Sequence, residues 1–453
     1  MSKRLFWDAF KYALAFGLLT YVVWSNWGQP NPVASKIVVD PKPTKPNDTD
    51  APTLTGTVTA FVPGESITVA PPDGKPIQLV LVRSKWRLLK LSFVYSQARI
   101  EGMSDHEAIQ PGTVVAVWEH PRGLAYVWQR HVLEREPIHL GFLALGFLLG
   151  LTAVVLTFVR WYVLVRAQDL PFTIPDALRL GFIGFFFNAV MPGSVGGDII
   201  KAAFLAREKP DRKTVAVATV IMDRVIALWA LVCFVALSGS IFWAFGLLQG
   251  TGAEQSRMIV RVAAVIVTVS LSGWLLLGLM PVRWADRYAN HLSRFPKVGS
   301  TLAEFWRAVW MYRCRQKSIA ITLIITWTGH VFFVLYFYCS VRVLWDAGDP
   351  AQRIPTLAQH FLLVPIGLII RAVPLLPGGV GIGELGYGLL YKWLGASESS
   401  GVLGSLVNRV CDWTIGIFGF IIYRHLRIKM PDITGIEEQS SVVTEEAYLA
   451  SIK

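Results

Sequence analysis

What most constrains this chain is a series of apolar runs of about 20 residues, separated by short basic segments, a length that matches the hydrocarbon thickness of a bilayer. They lie at 5–27, 138–165, 214–248, 258–280, 319–345 and 402–423, with shorter runs at 171–191, 356–376 and 380–394. Only 16% of residues are charged and 53% are hydrophobic. A soluble protein carries about 25% charged residues, so too little polar surface remains to cover a globule. The chain reads as an α-helical polytopic membrane protein. Its net charge of +12 sits mostly beside the apolar runs, as in cytoplasmic loops facing anionic lipid, which argues against a nucleic-acid partner. Cys233, Cys314, Cys339 and Cys411 form no CxxC and no metal-ligand spacing, so neither a disulfide framework nor a metal is expected.

The order of segments suggests five parts. Residues 1–28 form a first transmembrane helix, with Lys3 and Arg4 ahead of it and Asp8 and Lys11 interrupting its first turns. No small-x-small cleavage site follows closely, which favours an uncleaved helix over a signal peptide. Residues 29–51, rich in Pro, Asn, Asp and Lys, read as a linker. Residues 52–136 form a β-rich module, a small barrel or sandwich with strands expected at 53–61, 66–70, 77–82, 87–95, 113–118 and 123–132. Pro63-Gly64, Pro71-Pro72-Asp73-Gly74 and Pro111-Gly112 mark its turns, and helix is expected only near 104–109. Residues 137–427 form the main membrane domain, and 428–453 a polar tail expected to be disordered. Within the basic segment 281–317, Leu302, Phe305, Trp306, Val309 and Trp310 recur at helical spacing. That face fits a helix lying in the membrane interface or an ordinary packed connector.

The basic flanks place both termini, the 201–213 segment and the 281–317 segment in the cytoplasm of a multi-pass inner (plasma) membrane protein, with the β module outside. Residues 171–206 must then enter the membrane and return from the cytoplasmic side, and 356–395 from the outer side. Each of these hairpins is broken at a Pro-Gly. The first tip reads Asn188-Ala-Val-Met-Pro192-Gly193-Ser194-Val195-Gly196-Gly197-Asp198, and the second Pro374-Leu-Leu-Pro377-Gly378-Gly379-Val380-Gly381-Ile382-Gly383-Glu384. A repeat in opposite orientations is a transporter signature. Broken helices survive at membrane depth only where protein or water satisfies the freed backbone. Asp198, Lys201, Asp223, Arg224, Arg371, Glu384, Arg409 and Asp412 put ionisable groups near these tips, where they are costly. Two readings stay open. They are ion pairs locking broken helices together, or they line a cavity in which Arg224, Arg371 and Arg409 hold a phosphate, whose geometry the planar guanidinium matches.

Asn188, Pro192-Gly193, Gly196-Gly197-Asp198, Asp223-Arg224 and Pro374, Pro377-Gly378-Gly379, Gly381 and Glu384 together resemble the lysylphosphatidylglycerol synthase transmembrane region, or flippase-like domain. The resemblance covers about 138–427 and extends to the first helix. It implies a membrane domain that moves or handles lipids, among them aminoacylated phosphatidylglycerol and polyprenyl-linked headgroups. Lysyl-lipid synthases carry a large soluble acyltransferase domain after the membrane part. Here a short tail follows, so synthase activity is expected to be absent. The β module is not part of the family's pattern and is a candidate docking surface for an envelope protein. Gly381-Ile-Gly383-Glu384-Leu-Gly386 matches GxGxxG but follows no strand, so no dinucleotide is expected. With no nucleophile–base–acid set and no Walker motif, the expected function is lipid flipping rather than enzymatic catalysis, without a cofactor. The alternatives are a membrane scaffold for a cell-envelope enzyme and an intramembrane transferase with Asp198 or Glu384 as base.

The topology is testable by accessibility labelling in a background lacking the four native cysteines. Ser66→Cys should react with an impermeant maleimide in intact cells, and Ser440→Cys only after permeabilisation. The opposite pattern sinks the assigned orientation.

Overall fold

The computed structural model describes residues 3–27, 34–41, 52–72, 74–81, 85–88, 91–94, 98–102, 109–119, 123–191, 196–208, 212–246, 252–279, 281–294, 299–346, 352–373 and 376–425. The described chain is mostly helical, with a small mixed sheet near the N-terminus. It divides into two compact units. One comprises 1–153, 231–270 and 330–411, the other 154–230, 271–329 and 412–453.

The sheet belongs to the first unit. Its strands are β1 (Ala34–Val39), β2 (Leu54–Val62), β3 (Ser66–Ala70), β4 (Ile77–Val80), β7 (Arg99–Glu101) and β8 (Val114–Glu119), in the order β4-β3-β2-β8-β1-β7. β1 and β7 run parallel, and the other neighbours are antiparallel. In β2, Gly56 and Val58 are buried while Thr55, Thr57 and Thr59 are exposed, the period-two signature of a sheet with one covered face. Ile37, Val58, Ile67, Val69, Leu79, Val115 and Val117 fill that face. The two edges meet, because the Ala98 amide, just before β7, donates to the Leu81 carbonyl, just after β4, at 2.8 Å.

Three local readings of the sequence change here. The expected linker contains β1, which lies between β8 and β7. Its apolar period is masked by Ser35 and Lys36, and Lys36 is paired with Glu101 at 3.0 Å. The expected strand 87–95 is instead a hairpin of β5 (Lys85–Leu88) and β6 (Leu91–Val94), a separate two-stranded sheet. The expected strand 123–132 is helix α2 (Leu124–Trp128) running into a π-helical turn, Gln129–Leu133. The amides of Leu124 and Ala125 donate to the carbonyls of Asn26 and Trp27, which fastens α2 to the end of α1 (Lys3–Ser25). Of the expected helix at 104–109, only Ile109 is described, buried in the sheet core; 42–51 and the tail beyond 425 also lie outside the described residues.

Among the described residues, five helices are long and apolar enough to cross a membrane: α3 (Leu140–Ala167), α6 (Lys213–Ala244), α7 (Ala253–Leu279), α10 (Gln316–Arg342) and α13 (Glu398–His425). Only 6% of the most apolar stretch of α7 is buried. Val262, Val265, Val269, Leu275, Leu276 and Leu279 are exposed along it. A surface that apolar on one helix calls for hydrocarbon as solvent. The Gly146/Gly150 face of α3 packs on α10. A Cβ on Gly150 would stand 2.9 Å from the Tyr336 ring, so this small-residue face serves packing within the fold.

The basic segment 281–317 forms two short helices, α8 (Val282–Leu292) and α9 (Gly299–Cys314). The C-terminal end of α9 is a packed connector, with Val309 against Leu164, Met222, Ile226 and Tyr312. The buried Tyr312 hydroxyl donates to the Leu164 carbonyl at 3.1 Å. Leu302, at the other end, is exposed.

The placing of β1 predicts which fragment folds. Residues 32–120 should give a β-sheet circular-dichroism spectrum with a cooperative melt, and residues 50–136, which lack β1, should not. A cooperative β fold in the shorter piece would overturn the strand order.

Candidate functional site: two glycine-rich tips

Each unit holds one of the two motifs. In the second unit, α4 (Ile174–Val190) packs against α5 (Gly196–Glu208). Thr173 caps α4 by accepting the Asp176 amide, and Pro175 fits the first turn, where no amide partner is needed. At the far end Asn188 Oδ1 accepts the Gly197 amide at 2.8 Å, satisfying one of the free donors that open α5. The helices cross glycine on glycine. A Cβ on Gly197 would stand 1.8 Å from the Gly184 carbonyl oxygen, and one on Gly196 would stand 2.5 Å from Met191 Cβ. Helix continues to Glu208, so Lys201 and Arg207 belong to α5 rather than to a charged loop.

Two carboxylates lie beside this tip, and each has an arginine. Asp198 accepts Arg224 Nε at 2.5 Å, and the Arg224 side chain keeps 43% of its surface exposed. Asp223 is held by both Nε and Nη2 of Arg160, at 2.7 and 3.0 Å, with both side chains buried. Arg160, within the apolar run 138–165, is the locked partner of Asp223. The signal was present, since an Arg inside one apolar run and an Asp inside another are expected to find each other.

In the first unit, α11 (Leu357–Ala372) and α12 (Ile382–Trp393) flank a tight turn, Pro377–Gly379. Gly378, Gly379 and Gly381 have φ of 54°, 66° and 81°, the left-handed region that residues with a Cβ avoid, which is why the motif is spelled with glycine. Glu384 is fully buried. Its Oε2 accepts the Gly381 amide at 2.7 Å, closing the start of α12 from within. Its Oε1 accepts Arg409 Nε at 2.7 Å and the Ser405 hydroxyl at 3.3 Å. Arg409, on α13, also donates to the carbonyls of Gly378 and Gly379, each at 3.2 Å. Arg371 is half-buried at the end of α11, its stem against the turn; a Cβ on Gly379 would stand 2.7 Å from Arg371 Cγ. Its charge bears on Glu384. From α1, Ala15, Leu18 and Leu19 pack on Leu376, Val380 and Ile382 and cover this turn.

The structure thus gathers Asn188, Gly196, Gly197, Asp198, Lys201, Asp223 and Arg224 in one unit, and Arg371, Pro377, Gly378, Gly379, Gly381, Glu384 and Arg409 in the other. Pro192 and Pro374 lie outside the described residues. Asp412 is buried on α13. Among the described residues no cluster of His, Cys, Asp and Glu could hold a metal. His360 is a structural group, its ring nitrogens within 2.8 Å of the Thr356 carbonyl and 2.7 Å of the Tyr391 hydroxyl.

Residues 131–419 match the family model of the lysylphosphatidylglycerol synthase TM region. The chain is 23% identical over 302 residues to a UPF0104 membrane protein of Methanothermobacter thermautotrophicus, covering 62% of this chain and 83% of that protein. It is 22% identical over 308 residues to the UPF0104 membrane protein PH1989 of Pyrococcus horikoshii, covering 62% and 86%. No solved structure matches the chain.

The geometry separates structural arginines from open ones. Arg409→Leu should strip the counter-ion from a fully buried Glu384 at a cost of about 3–5 kcal/mol. Gly197→Ala should force α4 and α5 apart. Both should lower the melting temperature of the detergent-solubilised protein well below that of Arg224→Leu. A wild-type melt for Arg409→Leu would show that its bonds do not hold the turn.

Proposed function

The chain belongs to the family of the lysylphosphatidylglycerol synthase transmembrane region, and on that footing we propose that it moves or handles a phosphate-bearing lipid, an anionic phospholipid or a polyprenyl-linked headgroup, across the plasma membrane. The observation that carries this reading is the pair of glycine-rich tips, each with buried charge placed among apolar helices. Ionisable groups at membrane depth are expensive and are retained where they meet a substrate or ion. In this reading the two helix pairs are re-entrant hairpins of an inverted repeat, with the β module outside and both termini in the cytoplasm.

The arginines divide the work. Arg160 grips both oxygens of Asp223 through Nε and Nη2, and Arg409 binds Glu384 and two tip carbonyls, so they hold the architecture. Arg224, whose side chain keeps 43% of its surface exposed beside Asp198, is accessible to an incoming anion. A lipid phosphate offers the same bidentate acceptor geometry as a carboxylate. Competition for Arg224 would free Asp198, and a ligand that binds one arrangement better than another shifts a two-state transporter. Arg371 is placed to play the same part at the second tip. The bonds to both oxygens of Glu384 argue against that carboxylate as the base of a transferase and leave Asp198 as the candidate for that alternative.

Reconstitution into liposomes with fluorescent or aminoacylated lipids tests the proposal. The wild type should equilibrate an anionic lipid between leaflets. Arg371→Lys, which keeps charge but loses the planar fork, should slow transport severalfold at normal folded yield, and Arg371→Leu should slow it further. If both variants lose folded protein while what folds stays active, the arginine is structural and the proposal fails at this residue. No lipid movement by the wild type would favour the scaffold alternative.

A further inference from the structure

Lys201 differs from every other charge at the first tip. It sits in the second turn of α5 and retains 7% of its surface exposed. Its stem runs across Gly184 of α4, so that a Cβ there would stand 2.8 Å from Lys201 Cε. The ammonium lies over the rings of Phe158 and Trp161 of α3, at 5.7 and 5.3 Å from their centroids. The charged groups that face it are Asp198 on its own helix, Asp223 and Arg224 on α6, and Arg160 on α3. Three cations therefore face two carboxylates. Arg160 takes both oxygens of Asp223, and Arg224 takes Asp198. Among the described residues, Lys201 Nζ has no ion-pair or hydrogen-bond partner. Neither does the fully buried indole Nε1 of Trp161. Two adjacent buried side chains thus carry donors with no acceptor, and buried donors without acceptors are costly.

An ammonium so placed has two ways out. It gives up its proton, or an anion arrives to pair with it. We propose that Lys201 is a proton-coupled anchor for an anionic headgroup: the neutral amine takes up one proton as a phosphodiester oxygen arrives, and the ammonium and the Trp161 N–H both donate to that anion. The step balances, since the amine lone pair takes a solvent proton and the new positive charge meets the phosphodiester's negative one. This inference rests on the lipid-handling reading and adds to it a coupling ion. Each headgroup bound at the first tip would carry a proton into the site, and release of either would favour release of the other.

The test is calorimetry on the full-length protein in detergent with dihexanoyl phosphatidylglycerol, whose phosphodiester does not titrate in the working range. Titrations in two buffers of different ionisation heat count the protons exchanged. The wild type should take up about one proton per lipid bound above the amine's own titration, with affinity falling about tenfold per pH unit there. Lys201→Arg, which stays charged, should give a flat pH profile and no proton uptake. Lys201→Met should also lose the uptake, and Lys317→Met, at the exposed start of α10, should keep it. A parallel titration with sodium sulfate separates a lipid headgroup from any small dianion. Tight sulfate binding with the same proton uptake overturns the headgroup assignment. Lipid binding without proton exchange in the wild type overturns the coupling while leaving the lipid-handling reading intact. Absence of binding to either probe overturns both.

Discussion

Breaking an apolar helix frees backbone donors and acceptors where no water waits to receive them, and the rest of this structure depends on how those groups are satisfied. At the second tip one buried guanidinium does most of it. Arg409 donates to the carbonyls of Gly378 and Gly379 and to the carboxylate of Glu384, while Glu384 accepts the amide of Gly381. Turn, helix start and the packed face of α13 are joined through two side chains. The first tip meets the same problem with a neutral group, Asn188, whose side-chain oxygen receives the Gly197 amide across the α4–α5 contact. The two motifs look alike in sequence, yet one is held by charge and the other by an amide and glycine-on-glycine packing.

That difference sets what each tip leaves available. A buried ion pair contributes little net stability, because desolvating both charges offsets most of their attraction. Arg160–Asp223 and Arg409–Glu384 are of this kind. Arg224–Asp198 is a more open pair, with 43% of the Arg224 side chain exposed. Lys201 lies over two aromatic rings and makes no ion pair within 4 Å among the described residues. Under the proposed function, the fixed pairs would hold Arg224 and Lys201 in a defined place, which is what a binding site needs from its surroundings.

The β-sheet module obeys a different constraint. The mixed sheet buries one face over an aliphatic core, and a hydrogen bond from Ala98 to Leu81 draws its two edges together. Strand β1 arrives from directly after the first helix, and α2 returns to the end of that helix through bonds to Asn26 and Trp27. The module is therefore tied at both its entry and its exit to the same helix end.

The sequence by itself determined the solvent, the spans and the places where helices break. Apolar length, low charge and Pro-Gly-Gly spelling are local properties, and positive φ at Gly378, Gly379 and Gly381 leaves few residues able to stand there. It also identified most charged residues of both tips, because a charge in an apolar run is conspicuous without any coordinates. Pairing was a different matter. That Arg160 belongs to Asp223, that Arg409 rather than Arg371 grips Glu384, and that Lys201 lies over aromatic rings rather than in an ion pair depend on which helices lie side by side. The same holds for β1, whose short, partly polar run becomes a strand only because β8 and β7 supply partners on both sides. Long-range hydrogen bonds and ion pairs are properties of neighbours in space, and one-dimensional periodicity carries no record of who those neighbours are.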